Sequence, residues 1–221
     1  MTNQDTDYVP VLRYRWLTPL YDAAIALLTR ESVWRKSVLN ALSPQAGERI
    51  LDIGCGTGSL LSLVRQNQPH AQLFGIDPDP EIIARAKEKL DAQSDIELIN
   101  DMGDALGQYF ESESLDAVVV TLVLHQVPVA GKEAIIKAVF EALKPGGQLI
   151  IGDYAVQPNW LMKQCFKIIQ LLDGDDLTQP NADGVLTELA TSCGFSAIEV
   201  RDVIKTPTGA ISVMVCRKVS D

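Results

Sequence analysis

The sequence predicts an α/β domain: a doubly wound, mostly parallel sheet of seven strands held between two layers of helices. Three observations predict it. Short apolar runs alternate with amphipathic helical stretches from Arg49 to Gly152. The runs are apolar at successive positions, as in strands covered on both faces. The segment Arg49-Ile-Leu-Asp-Ile-Gly-Cys-Gly-Thr-Gly-Ser-Leu-Leu61 joins a strand to a helix through a glycine turn. Such turns let backbone approach a nucleotide-like ligand.

The elements follow in order. Residues 1–9 are polar. From Leu17 to Leu28 apolar residues recur at helical spacing (Leu17, Leu20, Tyr21, Ala24, Leu27, Leu28). Ser32 is placed to cap a second helix carrying Val33, Trp34, Val38, Leu39 and Leu42, which stops near Pro44. Both precede the first strand, so residues 1–45 read as a helical cap on a body spanning 46–221. Strands are predicted at Arg49–Ile53, Gln72–Ile76, Ile96–Ile99, Ala117–Leu122 and Gln148–Gly152. One helix begins after Gly58. The next opens with Asp79-Pro80-Glu81, an N-cap, a proline in the first turn and an early acid. Another covers Lys132–Leu143 and stops at Lys144-Pro-Gly-Gly147. Beyond the fifth strand the rhythm breaks. Residues 154–180 read as a lid insertion, with an apolar helix Trp160–Leu172 and an acidic turn Asp173–Asp176. A helix Ala182–Cys193 and a hairpin of strands, Ala197–Ile204 and Ala210–Arg217, close the chain.

The formal net charge is −10. A polyanion would meet net repulsion, so nucleic acid is not an expected partner. The four cysteines (Cys55, Cys165, Cys193, Cys216) form no C-x-x-C pair and no cluster with histidine, so neither a metal site nor a disulfide framework is expected. The polar, acidic N-terminus does not read as a signal peptide, and no apolar run reaches the ~20 residues a membrane span needs. The expectation is a cytoplasmic protein without stable membrane insertion; a homodimer is compatible with it.

The glycines are spaced G-x-G-x-G (Gly54, Gly56, Gly58). A dinucleotide fingerprint would need its third glycine at Ser59. Asp52 stands two residues before the first glycine, where an acid repels a pyrophosphate and attracts an ammonium. Asp77 ends the second strand, where an acid accepts hydrogen bonds from ribose hydroxyls. The spacing disfavours a nicotinamide oxidoreductase. Together these residues resemble the first motifs of the class I S-adenosylmethionine-dependent methyltransferases, a Rossmann-like family whose final strand runs antiparallel.

The resemblance implies S-adenosylmethionine as cofactor and S-adenosylhomocysteine as product. It implies that Asp52, Gly54, Gly56 and Gly58 hold the methionine part and ribose, that Asp77 holds the ribose diol, and that Pro78 borders the adenine. It places Asp101 on the adenine amine and the backbone of Met102 on a ring nitrogen, with Asp104 a competitor for Asp101. Thr121 and Leu122, in Val-Thr-Leu-Val-Leu-His-Gln-Val-Pro128, become contacts at the reactive end. His125 has a pKa suited to a general base, and equally to a structural or capping role. Asp153 and Tyr154 lie on the same rim as acceptor contacts. Methyl transfer also proceeds without a base when alignment suffices.

Near the N-terminus, Leu17-Thr-Pro-Leu-Tyr-Asp-Ala-Ala24 and Trp34-Arg35 resemble the opening of the quinone C-methyltransferases and some phospholipid N-methyltransferases. Tyr21 then closes over the cofactor, or is a core aromatic of an amphipathic helix. The quinone enzymes carry Leu-Arg-Asn after the fourth strand, where this chain has Leu124-His125-Gln126. The functional expectation is a methyltransferase for a small-molecule acceptor. The alternatives are a membrane-associated quinone or phospholipid head-group methyltransferase, and a non-catalytic S-adenosylmethionine-binding protein.

Overall fold

A computed structural model of the protein describes residues 29–90 and 95–219. Tyr21 and the helix expected over 17–28 lie outside them. Seven strands form one sheet: β1 (Arg49–Ile53), β2 (Gln72–Ile76), β3 (Glu97–Ile99), β4 (Leu115–Thr121), β5 (Leu143–Tyr154), β6 (Ser196–Thr206) and β7 (Gly209–Arg217). Their order across the sheet is β3-β2-β1-β4-β5-β7-β6. The first five strands run parallel, and β7 is antiparallel to both β5 and β6. The chain winds outward from β1 to β3, then returns to β4 on the other side of β1. The order reverses at the carboxyl ends of β1 and β4, where sheets of this kind bind their ligands.

Seven helices cover the sheet among the described residues: α1 (Glu31–Leu42), α2 (Ser59–Asn67), α3 (Pro80–Leu90), α4 (Val129–Ala142), α5 (Trp160–Asp173), α6 (Asp175–Asp183) and α7 (Val185–Ser192). Strand side chains alternate between two cores. Ile50, Val119, Ile150 and Val213 face one side with Trp34 and Val38 of α1, Leu60 and Leu61 of α2, and Phe166 and Ile169 of α5. Leu51, Ile53, Val118, Val120 and Ile151 face the other with Ile135 and Val139 of α4 and Leu186 and Ala190 of α7. Each of the larger buried side chains contributes roughly 1.5–3 kcal/mol by leaving water.

The N-cap read at Asp79 is present: its Oδ1 accepts from the backbone N–H groups of Glu81 at 2.8 Å and Ile82 at 3.3 Å. Several boundaries differ from expectation. Ser32 lies in the first turn of α1 and does not cap it, because Arg30 takes the left-handed conformation just before Glu31. Strand β5 starts at Leu143, with Lys144–Gly147 bulged out between the pairs Leu115–Leu143 and Ala117–Gln148. The acidic turn after α5 is only Gly174, and helix resumes at Asp175. The helix expected over Ala182–Cys193 is broken at Gly184, whose φ of 101° no helical residue adopts.

Candidate active site

Strand β1 carries Asp52 to the carboxyl end of the sheet, on its α1 side, where its side chain is 2% exposed. Its Oδ1 is buried with no hydrogen-bond partner among the described residues. Burial pushes this carboxyl up to about 7; Arg35 opposes the rise and Asp77 adds to it. A buried acceptor without a donor is expensive.

The next turn explains its glycines. Gly54, Gly56 and Gly58 have φ of 67°, 54° and 74°, all left-handed. A Cβ at Gly54 would stand 2.2 Å from Val123 Cγ2, and one at Gly58 2.6 Å from Leu90 Cδ1. Around Gly56 nothing lies within 4 Å of that position. Two glycines admit neighbouring side chains; the middle one faces open space.

Asp77 ties this turn to β2. Its Oδ2 accepts from Gly56 N at 3.0 Å and its Oδ1 from Asp79 N at 3.0 Å. Each oxygen keeps a lone pair for a ligand hydroxyl. Burial raises its pKa, against the pull of those two N–H groups. Pro78 sits half-buried in the bend between Asp77 and Asp79. Asn100 Nδ2 donates to the Asp77 carbonyl at 2.9 Å, joining the ends of β2 and β3. Asp101 follows; its Oδ1 accepts from Met102 N at 2.8 Å and its Oδ2 from the Tyr109 hydroxyl at 2.7 Å. The Tyr109 bond, then the Met102 bond, hold its carboxyl below the usual range. Met102 and Tyr109 are exposed beside it, and so is Asp104.

Strand β4 ends at Thr121. Leu122 follows with φ of 53° and donates its N–H to Gly152 O at 2.9 Å. A leucine in the left-handed region stores strain of order 1–2 kcal/mol. The chain then makes a tight turn, Leu124–Gln126. Asp153 of β5 organises it. Its Oδ2 accepts from Leu124 N at 2.8 Å and His125 N at 3.3 Å. Its Oδ1 accepts from Tyr154 N at 2.7 Å and lies 2.7 Å from His125 Nδ1. His125 Nε2 is 3.5 Å from Asp173 Oδ2 at the end of α5. Burial alone would lower the imidazole pKa, but Asp153, then Asp173, outweigh it and hold His125 at about 9. Lys132 of α4 is fully buried and donates to the carbonyls of Leu124 and Leu177. Burial lowers it to about 8, against the attraction of Asp153.

The three rim residues therefore do not converge on one point. His125 and Asp153 form a buried pair. Tyr154, the next residue on β5, joins the opposite core with Phe166, and its hydroxyl pairs with Thr208 Oγ1 at 2.7 Å. Its ring meets His125 edge-on at 5.1 Å. Sequence reasoning missed Lys132, Asp173, Tyr109 and Val123. The apolar company of Lys132 on α4 was a usable signal, because a lysine on a buried stripe needs acceptors. Tyr109 and Val123 carry no signal without the tertiary structure. Among the described residues, no group of histidine, cysteine or acidic side chains could hold a metal ion.

Fold and site together give an α/β domain with acids at the ends of β1, β2 and β3 and open backbone at Gly56. Residues 50–147 match a family model described as a methyltransferase domain. In this stretch and in its fold the chain resembles the S-adenosylmethionine-dependent methyltransferases. It is 29% identical over 205 residues to a demethylmenaquinone methyltransferase of Staphylococcus haemolyticus, spanning 84% of this chain and 82% of that protein. The enzyme of the same name from Staphylococcus saprophyticus is 28% identical over 140 residues, 63% of this chain and 58% of its own length. The chain thus spans about three fifths of the first curated relatives it matches. Among solved structures, phosphoethanolamine N-methyltransferase 2 of Haemonchus contortus, in complex with phosphomonomethylethanolamine and S-adenosylhomocysteine, superposes with a TM-score of 0.73 at 18% identity, covering 95% of this chain and 60% of that one. An S-adenosylmethionine-dependent methyltransferase of Methanosarcina mazei gives 0.61 at 23%, covering 83% and 98%. Both likenesses are likenesses of fold.

Proposed function

We propose that this chain binds S-adenosylmethionine and transfers its methyl group to a small-molecule acceptor, leaving S-adenosylhomocysteine. The observation that carries the reading is the unpartnered, buried Oδ1 of Asp52 at the end of β1, with open space at Gly56 in the turn that follows. When bound, the cofactor supplies an electrophilic methyl group on a sulfonium. Asp52 takes the ammonium, Asp77 the ribose diol, and Asp101 with Met102 N the adenine. Pro78, Met102 and Tyr109 border the ring. Thr121 and Leu122 line the reactive end, and Tyr21 of the cap belongs to the same proposal.

His125, Asp153 and Tyr154 act in this reading as positioning residues. Asp153 and Asp173 raise the pKa of this buried imidazole and engage both of its nitrogens, which favours a positioning role over proton abstraction. Its effect is to hold the turn after Leu122, so alignment and exclusion of water supply the rate.

A second reading names the acceptor: a quinol ring carbon, supported by the relatives' activity as demethylmenaquinone methyltransferases. A cytoplasmic location and a homodimer complete the proposal; four free cysteines fit a reducing compartment. The test is an acceptor panel containing a demethylated quinol and phosphoethanolamine, read by S-adenosylhomocysteine release. Turnover of any acceptor supports the enzyme, and turnover of the quinol alone supports the second reading. Cofactor binding with no turnover across the panel favours a non-catalytic binder.

A further inference from the structure

Between the last two helices and the β6 edge of the sheet lies a cavity of about 150 Å³. Its floor follows the strand ladder. Val203 of β6 pairs with Ser212 of β7, and Val200 pairs with Met214; all four line the cavity. Val200 and Val203 are three residues apart, which would send them to opposite faces of a regular strand. The register shift between Val200 and Asp202 adds the extra residue that returns both to one face. The wall is the break between α6 and α7. Gly184, at φ of 101°, turns the chain there, with Asn181 before it and Leu186 and Thr187 after it. Ala155 and Val156, just past β5, complete the lining.

The chemistry of the lining says what fits. Among the described residues no charged side chain lines the cavity, and most of the lining is apolar. An ion would lose its hydration there with nothing in return. Asn181 is fully buried, and its Nδ2 donates to Tyr154 O at 2.9 Å, which fixes the orientation of the amide. Its Oδ1 has no partner among the described residues. A buried acceptor in that state calls for a donor. Ser212, 5% exposed, adds a hydroxyl to the floor. An apolar space of this size takes a molecule about as large as benzene.

We propose that this cavity binds a small uncharged molecule of phenol size: an apolar ring with one hydroxyl, which donates to Asn181 Oδ1. The cavity shares no lining residue with the site proposed for S-adenosylmethionine, so binding here is independent of the methyl donor. Ser212 pairs with Asp153 in the ladder, so an occupant lies one strand from the carboxylate that holds the turn at His125.

Methyl-resolved NMR titrations of the full chain without cofactor test it, with phenol, toluene and benzoate as probes. Phenol should bind with a Kd of about 1 mM or tighter and shift the methyl signals of Leu186, Val203 and Met214. Toluene, of the same size but without a donor, should bind about tenfold more weakly. Benzoate should not bind. Asn181→Leu should erase the preference for phenol over toluene. That variant also removes the donor to Tyr154 O, so Val203→Trp, at an exposed lining position, provides a second test that leaves the amide in place. Its indole should fill the cavity and abolish binding of both probes. Four results overturn the proposal: no methyl shift at about 10 mM phenol, equal affinity for phenol and toluene in the wild type, benzoate binding as well as phenol, or phenol binding that Val203→Trp leaves unchanged. A preference for phenol that survives in folded Asn181→Leu removes the assignment to Asn181.

Discussion

His125 Nδ1 lies 2.7 Å from Asp153 Oδ1, and both side chains are sealed from solvent. The pair knits the turn after β4 to the end of β5, and Asp173 and Lys132 extend it to α5 and α4. Breaking one partner of a buried pair strands the other charge, which makes such networks sensitive to single substitutions.

The first prediction concerns alkaline stability. His125 is raised from 6.5 to about 9 in the folded state. Its contribution is therefore complete below pH 6.5 and is lost as pH rises through 9, a change of order 3 kcal/mol. Lys132, lowered from 10.5 to about 8, has the opposite sign, so stability gains back part of that loss between pH 8 and 10.5. Urea midpoints measured from pH 6 to 10 should fall most steeply between 6.5 and 8. His125→Gln should flatten that segment. A wild-type midpoint constant across it contradicts the charged pair.

The same pair sets an expectation for activity. A general base would give a rate inflection near its pKa and a loss of about 10²–10⁴-fold on removal. A positioning residue gives neither. His125→Gln should lower kcat less than that and leave the shape of its pH profile unchanged. An inflection near pH 6.5 that His125→Gln removes would restore His125 as the base.

Asp52 predicts a proton linkage on binding. Its folded pKa of about 7 lies above the ordinary 3.8, so without ligand stability is full below pH 4 and is lost as pH rises through 7. An incoming ammonium favours the carboxylate, so binding near pH 7 releases a proton. Calorimetry of S-adenosylhomocysteine in buffers of different ionisation enthalpy should detect the release. Asp52→Asn should abolish it and weaken binding by roughly 10–100-fold, the worth of one charge-assisted hydrogen bond. Equal proton release by Asp52→Asn would remove the assignment.

The glycine turn separates packing from binding. Gly54→Ala meets Val123 and a left-handed φ, so it should destabilise by several kcal/mol, partly recovered with Val123→Ala. Gly56→Ala meets open space, so only the φ penalty of about 1 kcal/mol applies. Its methyl group nonetheless enters the ligand's place. Thermal melts should rank Gly54→Ala well below Gly56→Ala, while both lose ligand affinity.

Much of this was legible in the chain. The strand–turn–helix at Asp52–Ser59 and the acids at 77 and 101 are local signals, because strand ends and glycine turns are set by near neighbours. The antiparallel hairpin was legible from its runs and the turn at Pro207–Gly209. What escaped depends on residues distant in sequence. Asp173 reads as one acid of an acidic turn, and only the fold brings it to His125. Tyr154 and Asp153 look equivalent on a rim, yet strand alternation sends them to opposite cores. The break at Gly184 was hidden by an apolar periodicity that continues across it.

The most direct measurement is a calorimetric titration of S-adenosylhomocysteine into the wild-type chain and into Asp77→Ala. The proposed site predicts micromolar binding by the wild type and severe weakening in the variant, which loses the carboxylate that holds Gly56 N and is proposed to take the ribose diol. Absence of binding by the folded wild type, or equal affinity in the two proteins, contradicts the account.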